Sequence, residues 1–149
     1  MGPGVVEQVA IAAEHGELPA TVKRARVIAG HGPVGDRNFA ADGAGRGEAL
    51  TLIAAEALED LRLQTGIELS HQASRRNVLT RGIDLNALVG RRFTVGDVLC
   101  EGVELCEPCQ HLQALTQEGI LRGLVHRGGL RADVLEGGTI SPGDAVRPV

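Results

Sequence analysis

All three cysteines of the chain, Cys100, Cys106 and Cys109, fall within ten positions, and His111 follows two residues later. Thiolate and imidazole are the softest side-chain donors, so this cluster is where metal, sulfur or redox chemistry would sit. Pro108 suits the first turn of a helix, where its missing N–H costs nothing. Cys109 would then meet free backbone N–H groups and the positive helix end, which lower a thiol's pKa. Three chemistries follow. Cys106-Glu-Pro-Cys109 has the spacing of a redox dithiol, although such motifs sit after a strand in a βαβ unit. Cys100, Cys106 and Cys109 with His111 or His126 could form a Cys₃His zinc site, but the gap from Cys100 to Cys106 is not the usual paired spacing. Alternatively Cys109 alone is an exposed thiolate, a metal ligand or sulfur nucleophile, while Cys100 and Cys106 pack as small hydrophobes. The plain alternative is that all three are packing residues.

The segments that must hold this cluster are short and mostly β-patterned. Val5 to Ala13 and Val22 to Ile28 alternate and are rich in β-branched residues, which predicts two strands. Gly30 to Gly47 is glycine-rich with few large apolar side chains and reads as a long loop. Ala49 to Ile53 predicts a buried strand leading into a helix over residues 54–65, with Ala54, Leu58, Leu61 and Thr65 on one face and Gly66 as its stop. Arg75 to Thr80 predicts a strand with basic side chains at its start, and Asp84 to Gly90 a connector or helical turn. Arg92 to Val95, the Gly96-Asp97 turn and Val98 to Leu105 form a hairpin that delivers the cysteines. Two short helices are expected around Leu112 to Leu115 and Gly119 to His126, then three strands between Arg131 and Val149. Many short strands with one clear helix indicate a mainly β, barrel-like domain with a few peripheral α-helices.

At 149 residues the chain makes one domain, 1–149, long enough to bury a core without staples. Trp and Tyr are absent and only Phe39 and Phe93 are aromatic, so platforms for stacking bases are lacking. A net charge of −4 also lacks the basic footprint that nucleic acid demands. Lys23 is the only lysine among the 15 basic residues, so Schiff-base chemistry would have to use it, and it lies in a strand-like run. There is no leader-like start and no apolar run long enough for a membrane helix, and an odd number of cysteines suits a reducing compartment. The expectation is a soluble, cytoplasmic protein.

The order of the segments resembles the MOSC family, the domain found at the C-terminus of molybdenum cofactor sulfurases, in its small stand-alone bacterial form. The resemblance is carried by Gly-Pro-Val-Gly35-Asp36-Arg37, by Leu-Thr-Leu-Ile53 before a helix, and by Arg75-Arg76-Asn77-Val-Leu-Thr80. Val-Gly-Arg-Arg-Phe-Thr-Val-Gly-Asp97, Leu-Cys-Glu-Pro-Cys109, Arg127-Gly-Gly-Leu-Arg131 and Gly-Asp144 complete it. It implies a β-barrel fold whose family cysteine, here Cys109, coordinates molybdenum or carries sulfur. It further implies that Arg75, Arg76 and Asn77 meet the phosphate and pterin edge of molybdenum cofactor, with Gly35, Asp36 and Arg37 in a loop at the mouth. Guanidinium forks suit phosphate, and Asn offers both donor and acceptor. His111 would be a proton donor near the metal, and His126 with Arg127 a charge pair at a helix end.

The activity implied is reduction of N-hydroxylated small molecules with electrons from a redox partner. Sulfur carriage or cofactor delivery through a Cys109 persulfide, supplied by a cysteine desulfurase, is the alternative, and a structural zinc domain the third reading. Pyridoxal phosphate is not expected on this chain, since the desulfurase portion and a convincing lysine are both missing.

Overall fold

The computed structural model describes residues 3–107, 123–124 and 126–149. Eleven strands, two short α-helices and a 3-10 turn are present among them. Strand β1 (Gly4–Ile11) is followed by β2 (Ala20–Val22), β3 (Ala25–Ile28), β4 (Gly32–Pro33) and β5 (Leu50–Ala54). Helices α1 (Ala55–Thr65) and α2 (His71–Ser74) carry the chain to β6 (Val78–Arg81). The 3-10 turn Leu85–Leu88, β7 (Arg92–Val95), β8 (Val98–Leu105), β9 (Leu130–Glu136), β10 (Gly138–Ile140) and β11 (Ala145–Pro148) complete the order.

Seven of these strands close a barrel in the order β11-β7-β8-β9-β5-β6-β1, with β1 pairing back onto β11. The fold is therefore mainly β and barrel-like, as the pattern of short strands predicts. Alternation places one face of each strand inward. Val6, Leu50, Leu52, Val78, Phe93 and Leu130 are all within the closed interior. Phe93 is fully buried and is the only large ring there, so aliphatic side chains fill the rest of the volume. A smaller sheet, β10-β3-β4, lies beside the barrel.

β5 and β6 run parallel, which requires a crossover, and α1 and α2 supply it. Helix α1 buries Ala55, Ala57 and Leu61 and ends at Gly66, whose φ of 79° permits the left-handed cap. Arg81 ties the crossover down, bonding Glu59 on α1 and Glu7 on β1. Among the described residues no helix is long and apolar enough to cross a membrane.

Three local expectations are corrected. The run from Val22 to Ile28 is not one strand: a bend at Lys23-Arg24 hands β2 to β1 and β3 to the smaller sheet. Thr65 does not join the buried helical face, because its hydroxyl donates to the Leu61 carbonyl at 2.6 Å and accepts from the Ile67 N–H. The strand expected from Arg75 begins only at Val78, since Ser70 caps α2 and Arg75 ends it with φ of 65°. The helices expected near residues 112 and 119 lie outside the described residues, apart from Gly123, Leu124 and His126.

Replacing Phe93 with Ala empties the largest side-chain volume in the barrel and is expected to cost about 4 kcal/mol. A urea melt should show the midpoint falling with an unchanged slope.

Candidate functional site

Of the residues singled out by sequence, Gly35, Asp36, Arg37, Arg75, Arg76 and Asn77 come together where the end of β1 meets the loop after β4 and the link from α2 to β6. Asp36 is buried and acts as a hub: Oδ1 accepts from the Ala12 N–H at 3.0 Å, and Oδ2 from the Asn38 N–H at 3.3 Å. It also pairs with Arg37 at 3.3 Å. Arg37, whose side chain is 8% exposed, donates its other guanidinium nitrogen to the Arg75 carbonyl at 3.0 Å. Gly35 has φ of 86°, a conformation glycine adopts without strain, and this lets the loop turn into Asp36.

Arg75 donates to the Glu17 carbonyl at 2.7 Å. Burial, and then the nearby Arg37 charge, lower its pKa, with Asp36 acting in the opposite sense. Arg76 joins two segments: its Nε donates to the Gly128 carbonyl at 2.8 Å and Nη2 to the Cys106 carbonyl at 3.2 Å. One guanidinium thus grips both strands from which the cysteine connection departs. Asn77 is buried and committed to the frame. Its Oδ1 accepts from the Thr51 N–H and hydroxyl, and its Nδ2 donates to the Ala10 carbonyl at 3.2 Å. Among the described residues, Asp36 set against Arg37 and Arg75 leaves one net positive charge in this corner of a chain whose net charge is −4.

His71 is the main residue that sequence reasoning missed. It is 4% exposed, and its Nε2 lies 2.8 Å from the Arg76 carbonyl. A carbonyl only accepts, so Nε2 carries the proton. Nδ1 then accepts from the Gln8 side-chain amide at 3.1 Å once the amide nitrogen faces it. Burial lowers the His71 pKa, so the neutral ring is the stable one. The short polar run from Ser70 to Ser74 offers no periodicity that would have exposed this role.

The cysteines separate in kind. Cys100 is fully buried on β8, and burial pushes its thiol up to about 12, which disfavours the thiolate at neutral pH. Cys106 is buried and unpaired, and its N–H donates to the Gly129 carbonyl at 2.7 Å. Cys109 and His111 lie outside the described residues. Among the described residues no group of three or more His, Cys, Asp or Glu is arranged to hold a metal. His126 does not pair with Arg127. It meets Glu107 twice, through Nδ1 at 2.8 Å and its backbone N–H at 2.7 Å, while Arg127 bonds Asp60.

Two outcomes are expected from this network. Arg76→Ala removes charged hydrogen bonds to the carbonyls of Ser74, Cys106 and Gly128 and should cost about 3 kcal/mol in a denaturant melt. His71, with a folded pKa below its ordinary value of 6.5, leaves the unfolded chain binding more protons in the window just below that value. Its contribution is complete above about pH 6.5 and is lost as pH falls towards the folded pKa. The urea midpoint should therefore drop between pH 7 and pH 5, and His71→Asn should flatten that drop.

The MOSC domain profile matches residues 38–147. No functionally curated protein matches the chain. Similar solved structures include the YuaD protein from Bacillus subtilis, at a TM-score of 0.80 and 17% identity, covering 97% of this chain and 94% of that one. YiiM from Geobacillus stearothermophilus gives 0.75 and 15%, covering 99% and 75% of the two chains. YiiM from Escherichia coli gives 0.74 and 17%, covering 100% and 70%. At these identities the structures speak for the fold, while the profile spans well over half of the sequence. The chain belongs to the MOSC family.

Proposed function

We propose that this MOSC protein binds molybdenum cofactor and reduces N-hydroxylated small molecules, with Cys109 as a thiolate ligand of molybdenum. The observation that carries this reading is the fixed pair of guanidiniums, Arg37 and Arg75, which share the single carboxylate Asp36 among the described residues and so leave one net positive charge. Their mutual repulsion is relieved by a bound anion, and a phosphate of the cofactor suits the Arg75 fork, while Arg37 adds charge from behind it. The donor set therefore fits the charged end of the group. Arg76 and Asn77 serve by position: Arg76 fixes the carbonyls of Cys106 and Gly128, and Asn77 locks β1 to β5 beside them. Cys109 follows Cys106 by three residues in the sequence.

When bound, the cofactor supplies a two-electron couple and a metal that accepts oxygen. The reduction consumes two electrons and two protons per N–OH group and releases the amine-type product and water. The electrons come from a redox partner protein. The chain's own contribution is to hold the anionic end away from bulk water and to present a thiolate.

Protein purified from a host that makes molybdenum cofactor should carry close to one molybdenum per chain. Cys109→Ala should lose it with the fold intact, and Arg75→Ala should retain about a tenth or less after dialysis. Full molybdenum in Cys109→Ala would sink the ligand assignment. Zinc in its place would assign a structural metal. A mass gain of one sulfur on Cys109 after incubation with a desulfurase and cysteine, with no molybdenum bound, would assign sulfur carriage instead.

A further inference from the structure

Arg75 stands where a side chain is a burden to the backbone. It ends α2 with φ of 65°, in the left-handed region that glycine enters freely and a residue with a Cβ rarely does. Strain of this kind persists only where the surroundings over-determine it, and it gathers at working sites. Two bonds fix the residue itself: its N–H donates to the Gln72 carbonyl at 3.1 Å, and its carbonyl accepts from Arg37 at 3.0 Å.

A further constraint comes from His71. Its Nε2–H donates to the Arg76 carbonyl at 2.8 Å, one residue beyond the strained one, and so ties the first residue of α2 to the link into β6. Ser74 closes the same turn from inside. Its hydroxyl donates to the His71 carbonyl at 2.5 Å and accepts from the Arg76 N–H at 3.4 Å. Gln8 on β1 faces Nδ1 at 3.1 Å, which anchors the ring to the barrel wall. The turn around Arg75 is thus held from both sides, and its outer tie is a buried imidazole.

We infer that His71 is the positioning residue for the Arg75 guanidinium: by holding residues 71–76 closed it aims Arg75 at the anion. This role rests on the reading of the Arg37 and Arg75 corner as an anion site. The ring donates in its neutral form, which burial favours. Without the Nε2–H the Arg76 carbonyl loses this donor, and Arg75 relaxes out of the left-handed conformation and carries its side chain away. Contacts that depend on direction weaken steeply once a group moves by about an ångström. Glutamine at position 71 brings an amide N–H near the place of Nε2, whereas phenylalanine keeps the ring volume and offers no donor.

The test is equilibrium dialysis of the cofactor-free full chain against inorganic phosphate at neutral pH, with a urea melt of each variant to register folding separately. The native chain should bind phosphate saturably, and Arg75→Ala should lose it. His71→Phe is expected to raise the dissociation constant about tenfold, and His71→Gln to stay within about threefold of native. Native affinity in His71→Phe, or equal weakening in His71→Gln, would overturn the positioning role and leave the corner reading standing. No saturable binding by the native chain, or binding unchanged in Arg75→Ala, would overturn the corner reading and this role with it. Should His71→Phe fail to fold, NMR of the native chain decides: the His71 Nε2–H resonance should shift along the phosphate binding curve, and a resonance that stays in place would sink the role.

Discussion

The barrel depends on how β1 divides its two edges. One edge pairs with β6 through Val5 to Val9, and the other is shared, with Gly4 and Val5 on β11 and Val9 to Ile11 on β2. Closure rests on only the first of these short contacts, supported by the Val6 N–H donating to the Asp144 carbonyl at 2.8 Å. A register shift between Val6 and Gln8 bends the strand enough to meet both partners. Closing joins the β1 and β11 edges of the seven-stranded ring, which would otherwise recruit other chains, and leaves β2 as a short outer strand. It also leaves the far end of β1 free to carry Ala10 and Ala12, whose backbone groups anchor Asn77 and Asp36.

The polar corner is built on that end, and carbonyls there outnumber carboxylates as partners. Arg37, Arg75 and Arg76 each spend guanidinium N–H groups on backbone oxygen, and Asp36 pairs with Arg37 while also acting on Arg75. A carbonyl fixes direction without cancelling charge, so the positive field survives. Arg81 is the opposite case. Two glutamates neutralise it, and its role is to hold α1 against the barrel. The same residue type thus serves either field or fastening according to what faces it.

Much of this was legible in residue order. The Gly96-Asp97 turn between two β-branched runs announced β7 and β8, and alternation put Cys100 inward, as its burial bears out. The segment order also pointed to the MOSC family. What escaped was everything decided by partners far apart in sequence. Nothing local marks Asn77 as a bridge to Ala10 and Thr51, or His71 as a support for the Arg76 carbonyl. Nothing local marks Glu56 either, one oxygen of which is buried without a donor among the described residues. Lys23-Arg24 breaks a run whose propensity favours a continuous strand, because β2 and β3 belong to different sheets.

The pairing of Val5 with Ala145 also has a kinetic side. The contact joins residues separated by nearly the whole sequence, whereas β7 and β8 meet across the two-residue Gly96-Asp97 turn. Loop-closure entropy makes the first kind of contact slow and the second fast. Hairpin β7-β8 is therefore available early, while β1 must wait for β11. On the ribosome, β1 would stand unpaired on that edge until β11 has emerged, so the interval before ring closure is when the nascent chain is most exposed to misassembly.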